Sequence, residues 1–324
     1  MLLLTMFFPL VTFSQYPDTE LGHDGFMGPV KSAKITAYQV ENEDGKVANG
    51  AVSNYQIRSY TESGRLENMT DYNADGTINR TQEYTFDEDG NLVELIDRMG
   101  ETIIKKEVYN YDVAGNLVEK LTYKGDGTID RKLSNIYSNK SLLIESSDYS
   151  NSFDELILNE KKKFEYDNDG NKVKESYVGP EGENWGSAAW TYNASGKVIE
   201  WVNLTETDEI KIRQTYLYND DQILITRNSF NKNGDLISEV NLDPMGQPLS
   251  LIRYDKDGSV IRKSGNRYDQ FGNNTTELKY GPDGTESVYA EYEYTYDNKN
   301  NWIRQIGYQG GEAAYIIGRE ITYY

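Results

Sequence analysis

The chain has 324 residues, 37% hydrophobic and 27% charged, which is ordinary for a folded protein except for its 27 tyrosines. Its formal charge of −20 repels phosphate backbones and anionic headgroups, and its Lys and Arg form no basic stripe, which argues against nucleic acid as a partner. With one histidine, His23, and no cysteine, Ser-His-Asp, Cys-His and His-based zinc chemistry are excluded or nearly so, as is a disulfide framework.

The chain opens with an apolar run, Leu2 to Phe13, followed by Ser14 and Gln15. That run is too short to span a bilayer and has the form of a signal-peptide core, although it lacks a positive flank. The expected division is therefore a signal peptide over 1–15, an N-terminal arm or cap over 16–29 and a repeat domain over 30–324. The expected location is secreted or periplasmic, with no membrane insertion after cleavage. From Val30 an opening strand is predicted, then a loop over Glu41 to Gly50, then a strand from Val52 to Tyr60.

From there a turn recurs about every 25 residues. Its clearest copy is YNYDVAGNL, Tyr109 to Leu117, with relatives at Tyr84 to Leu92, Phe164 to Lys172, Trp190 to Val198 and Tyr216 to Leu224. Degenerate copies fall where the period requires them, at Ser138 to Ser141, Asn219 to Gln222 and Asp243 to Gly246. A second series of turns, often Tyr-x-x-Asp-Gly-Thr as at Tyr72, Tyr123 and Tyr280, lies halfway between the first. Each unit is thus two strands and two turns. Asp or Asn at the first turn position accepts a backbone hydrogen bond, and Gly at the fourth takes a left-handed conformation, which favours a type I turn with a G1 bulge. A three-residue loop would pair Phe86 with Leu92 and Tyr111 with Leu117, and a four-residue loop would pair Phe86 with Asn91 and Tyr84 with Val93; turn chemistry favours the first.

The fold class that follows is all-β: tandem antiparallel hairpins, about twenty strands, in a twisted, curling sheet or partial shell. Tyrosine replaces the usual aliphatic core, with its ring packed and its hydroxyl expected to stay hydrated. The repeating YxYDxxGN units resemble the YD repeats of the bacterial RHS family, whose large members build spiral β-shells, and its short secreted versions that carry only repeats. The resemblance spans about Val30 to Tyr324. The Asp-Pro segment and toxin domain that end the large members have no counterpart here, since Asp243-Pro244 falls in an ordinary turn, so a toxin-delivery role is not carried over.

Four groups of residues are candidate sites, three pairs of aspartates and one pair of tryptophans. Asp87 with Asp89, Asp167 with Asp169, and Asp255 with Asp257 each put two carboxylates on one tight turn, as oxygen-rich Ca²⁺ loops do; the distal Glu of an EF-hand is missing, and turn chemistry alone also selects Asp at these places. Trp185 and Trp201 break the repeat and could be aromatic platforms for a sugar or a protein partner, or could pack in the core, whereas Trp190 sits at the repeated aromatic position. No cofactor other than Ca²⁺ is suggested. The expected function is a noncatalytic exported binding or scaffold module presenting a Tyr-rich sheet to a glycan or an envelope protein. The alternative is a carbohydrate-active enzyme using turn-tip carboxylates.

Overall fold

The computed structural model describes residues 20–324; the expected signal peptide lies outside the described residues. A one-turn helix, α1 (Glu20–His23), precedes 22 strands. The first eight are β1 (Val30–Glu43), β2 (Lys46–Tyr60), β3 (Leu66–Asn73), β4 (Ile78–Phe86), β5 (Leu92–Met99), β6 (Thr102–Tyr111), β7 (Leu117–Lys124) and β8 (Ile129–Tyr137). The next seven are β9 (Leu143–Ser152), β10 (Glu155–Tyr166), β11 (Lys172–Val178), β12 (Asn184–Tyr192), β13 (Val198–Leu204), β14 (Ile210–Tyr218) and β15 (Leu224–Asn231). The last seven are β16 (Leu236–Leu242), β17 (Pro248–Tyr254), β18 (Val260–Tyr268), β19 (Asn274–Tyr280), β20 (Glu286–Tyr296), β21 (Trp302–Gln309) and β22 (Glu312–Tyr323).

Every strand pairs antiparallel with its sequence neighbours, and β22 returns to pair with β1 from Val30↔Tyr323 to Tyr38↔Ile316. The open or partial sheet expected from the sequence is therefore a closed barrel. Closure removes the two edges that a sheet of this length would otherwise expose. It is not legible locally, because its pairing joins the two ends of the repeat array.

Two rims result. One carries the YD-type turns, from Thr61–Arg65 round to Asp297–Asn301, and the other carries the intervening turns. In the YD-type turns the fourth residue donates to the carbonyl of the first, as Gly115 does to Asp112 at 3.0 Å, with Gly115 at φ +80. The degenerate copies close in the same way, with Ser141 and Gln222 holding positive φ without being glycine. Phe86 pairs with Leu92 and Tyr111 with Leu117, as the three-residue loop requires, and each pair follows a bulge. Glu41 to Gly50, predicted as a loop, is instead mostly strand: β1 and β2 continue as a hairpin beyond their pairing with the barrel.

The barrel is one layer thick. Twenty-two strands about 4.8 Å apart give a diameter of about 34 Å before tilt widens it, too broad for the wall's own side chains to fill. The accessible surface is 19530 Å²; a compact monomer of this mass would expose about 13,600 Å². Both faces are therefore exposed, and the interior expected of an ordinary domain is replaced by contacts within the wall. One apolar cluster stands out, formed by Leu21, Phe26, Val30, Ala33, Tyr60 and Leu66 near the β1–β22 seam.

Tyrosine holds the wall in a way that the sequence alone does not show. On the YD rim the last strand tyrosine of six copies reaches back to the carbonyl oxygen of the first residue after the preceding YD turn, while Tyr296 and Tyr323 donate to the Asp269 and Asp297 carboxylates of that turn. Tyr111 donates to Leu92 at 2.8 Å, Tyr166 to Leu143 at 2.8 Å, Tyr192 to Lys172 at 2.7 Å and Tyr218 to Val198 at 2.8 Å. Tyr137 and Tyr268 do the same to Leu117 and Pro248, each at 3.0 Å. The hydroxyl expected to stay hydrated is instead a cross-strand donor, which explains why Tyr, and rarely Phe, fills the position.

Candidate functional site

Within this uniform wall a cleft of about 640 Å³ opens on the YD rim between the turns at Asp167–Asn171 and Asn193–Lys197. Its walls include Trp190, Tyr192, Val173, Asn193, Asp167 and Asp169. Trp190 lies on β12 opposite Trp201 of β13, and strand alternation puts both rings on the face that also carries Gln214. Lys172 covers part of that aromatic surface, its Nζ 4.1 Å from the Trp190 ring centroid and 2.7 Å from Glu175 Oε2. The Trp190 ring therefore already interacts with a charged polar group from its own chain.

The two carboxylates of the cleft differ. Asp167 Oδ1 accepts from the backbone N–H groups of Asp169 at 3.0 Å and Asn171 at 2.8 Å, and Oδ2 accepts from Asn171 Nδ2 at 2.9 Å. These hydrogen bonds, the Asn171 side chain first, hold the Asp167 carboxyl below its usual range. The Asp169 carboxylate takes part in no hydrogen bond or ion pair among the described residues and is available to a ligand. Asn193 is tied to its own turn through Ser195 and Lys197, and its Nδ2 donates to Gln222 Oε1 of the next YD turn at 3.2 Å.

The other sequence candidates are dispersed. Asp87 accepts from Asn91 N at 2.7 Å and Asn91 Nδ2 at 3.0 Å, which depresses its carboxyl in the same way. Asp255 accepts from Lys256 N at 2.7 Å and Asp257 from Ser259 N at 3.0 Å, on the opposite rim. Among the described residues no group of three or more His, Cys, Asp or Glu is arranged to hold a metal ion. Trp185 stands at the other end of β12 from the cleft, 45% exposed, with its indole N–H on Glu183 Oε1 at 3.1 Å. The structure thus does not bring Trp185 and Trp201 together; it pairs Trp201 with Trp190, the tryptophan that shares its position with the repeat aromatics.

No protein-family model and no curated protein matches the chain. Among solved structures, it is similar to the toxin complex TcdB2-TccC3, with 12% identity and a TM-score of 0.32, covering 91% of this chain and 19% of that one. It is also similar to a porin-like protein from Bacteroides uniformis, with 11% identity and a TM-score of 0.29, covering 92% of this chain and 99% of that one. The chain spans about a fifth of the toxin chain. At these scores the likeness carries no argument about activity, ligand or partner.

Proposed function

We propose that this protein is a noncatalytic, exported binding barrel, a repeat-only relative of the YD-repeat proteins, which takes a glycan of an envelope or extracellular partner at the Trp190–Asp169 cleft. The observation that carries the reading is the pairing of an indole wall with a carboxylate that has no partner among the described residues. An aromatic face stacks on the apolar face of a sugar ring, and a free acceptor fixes a hydroxyl. The tyrosines contribute less than the sequence suggested, because their hydroxyls are engaged in the wall.

Two further features support a water-bathed module. Ion pairs stand at mid-strand on both faces: Lys120 with Glu107 at 2.9 Å on one, Lys132 with Glu119 at 2.5 Å on the other. A lipid-spanning barrel needs an outward apolar band about 25 Å tall. The enzymatic alternative needs two carboxylates free to act across a bond, whereas Asp167 is committed to its turn.

Calorimetric titration of the protein with a panel of soluble envelope oligosaccharides tests the reading. Asp169→Asn and Trp190→Ala are expected to weaken binding at least about tenfold, as loss of an anchor does. Trp185→Ala should leave it unchanged. Equal affinity for the wild type and both cleft variants would refute the assignment, and release of shortened oligosaccharides would establish the enzymatic alternative.

A further inference from the structure

The barrel has one join that differs in kind from the others. Neighbouring strands elsewhere are linked by short turns, whereas β1 and β22 bring together the two ends of the repeat array and so carry by far the largest loop-closure cost. That join is held from both faces. On one face, residues 24–29 cross it. Asp24 accepts from Arg58 and Tyr60 of β2, while its carbonyl accepts from Arg319 Nη2 of β22 at 3.4 Å. Phe26 is fully buried, edge-on to Tyr60 and under the Arg319 guanidinium, whose carbon is 4.5 Å from the ring centroid. Met27 is bonded twice to the buried Asn301 side chain, N–H to Oδ1 at 2.6 Å and carbonyl from Nδ2 at 2.8 Å, and Asn301 Nδ2 also donates to the Tyr323 hydroxyl at 2.7 Å. Pro29 accepts from the Tyr324 N–H at 3.0 Å.

On the other face the free end of the β1–β2 hairpin folds back, and Arg304 of β21 donates to Asn49 Oδ1 at 3.2 Å and to the Val47 carbonyl at 3.3 Å. Tyr38 lies against Gly318 of β22, where a Cβ would stand 3.0 Å from the ring. The apolar cluster of this single-layered barrel thus lies beside the seam, and two of its six buried residues, Leu21 and Phe26, come from outside the sheet.

We propose that residues 24–29 form a strap that controls the β1–β22 seam: docked, it locks the barrel closed; undocked, it lets the seam part while the rest of the wall stays paired, giving lateral access to the interior. The strap ties β2 on one side to the β20–β21 turn and β22 on the other, so its release removes contacts that bridge this join.

Hydrogen exchange of the full chain, read by mass spectrometry, tests the proposal with Asp24→Asn and Phe26→Ala. Amides of 33–37 and 317–322 should exchange at least about tenfold faster, while those of 187–204 on the far side stay within about twofold, as expected when opening is local rather than global. Acceleration of equal size in all strands would show a structural cluster and no strap, and an unchanged seam with a freely exchanging segment 24–29 would overturn the lock. If Phe26→Ala does not fold, Phe26→Leu, which keeps an apolar anchor and loses the ring contacts, is read against the same two regions.

Discussion

Tyr111 donates its phenolic hydrogen bond to the carbonyl oxygen of Leu92 at 2.8 Å, so the strand entering one YD turn is fastened to the strand leaving the turn before it. That carbonyl lies beside a bulge, where the ladder leaves it short of a partner. Tyr111→Phe should therefore cost about 1 kcal/mol, the net worth of one such bond. Tyr137→Phe should cost less, because the Leu117 carbonyl also accepts from Asn135 Nδ2 at 2.9 Å and is not orphaned. Urea melts of the two variants, with Tyr123→Phe as a control whose hydroxyl makes no such bond, give the order; equal losses at 111 and 123 would contradict the ladder.

The glycines separate backbone strain from crowding. A Cβ on Gly115 would meet nothing within 4 Å, so Gly115→Val should cost only the left-handed conformation, about 1 to 2 kcal/mol. Gly186 holds φ +106, and its Cβ would stand 2.4 Å from the Leu204 carbonyl oxygen, so even Gly186→Ala should cost more than Gly115→Val. Asp208→Gly, at φ 60, should stabilise by about 0.5 to 1 kcal/mol. Chemical denaturation of the three variants checks the order; a Gly186→Ala melt equal to wild type would contradict the packing.

Much of the wall was readable from the sequence because hairpins are local. The Asp and Gly of each turn, the Phe86–Leu92 pairing and the left-handed fourth position at Ser141 and Gln222 follow from residues a few places apart. Closure was not readable, because Val30 and Tyr323 are joined by no local signal. Nor was the tyrosine ladder fully readable, although the contrast between Phe86, which bonds to no carbonyl, and the tyrosines at 111, 137, 166 and 192 was a usable hint. The cleft was missed for a related reason. By sequence Trp190 is one more repeat aromatic, and only the spacing of two neighbouring turns shows that its ring borders an opening with Asp169.

The buried phenols make the barrel sensitive to alkali. Burial first, then the Glu175 charge and hydrogen bond, pushes the Tyr177 hydroxyl up to about 12; burial does the same to Tyr294, and burial with Asp297 to Tyr323. The folded state thus favours the neutral phenol, and its contribution is complete below the unfolded value of about 10 and is lost as pH rises towards about 12. Tyrosinate absorbance and the strand circular dichroism should therefore change together above about pH 10. Full tyrosine ionisation near pH 10 with the sheet intact would contradict this.

The closed barrel itself is tested most directly by a cross-link at its seam. Lys34 and Glu320 are direct partners across β1 and β22, joined by a 3.3 Å ion pair, and the chain contains no cysteine to interfere. In the double variant Lys34→Cys, Glu320→Cys, paired Cα positions fall within disulfide reach. Closure predicts that the disulfide forms as fully as in the hairpin control Glu119→Cys, Ser134→Cys, whose positions are partners between β7 and β8. Complete cross-linking of the control with none between 34 and 320 would contradict closure and return the protein to an open sheet.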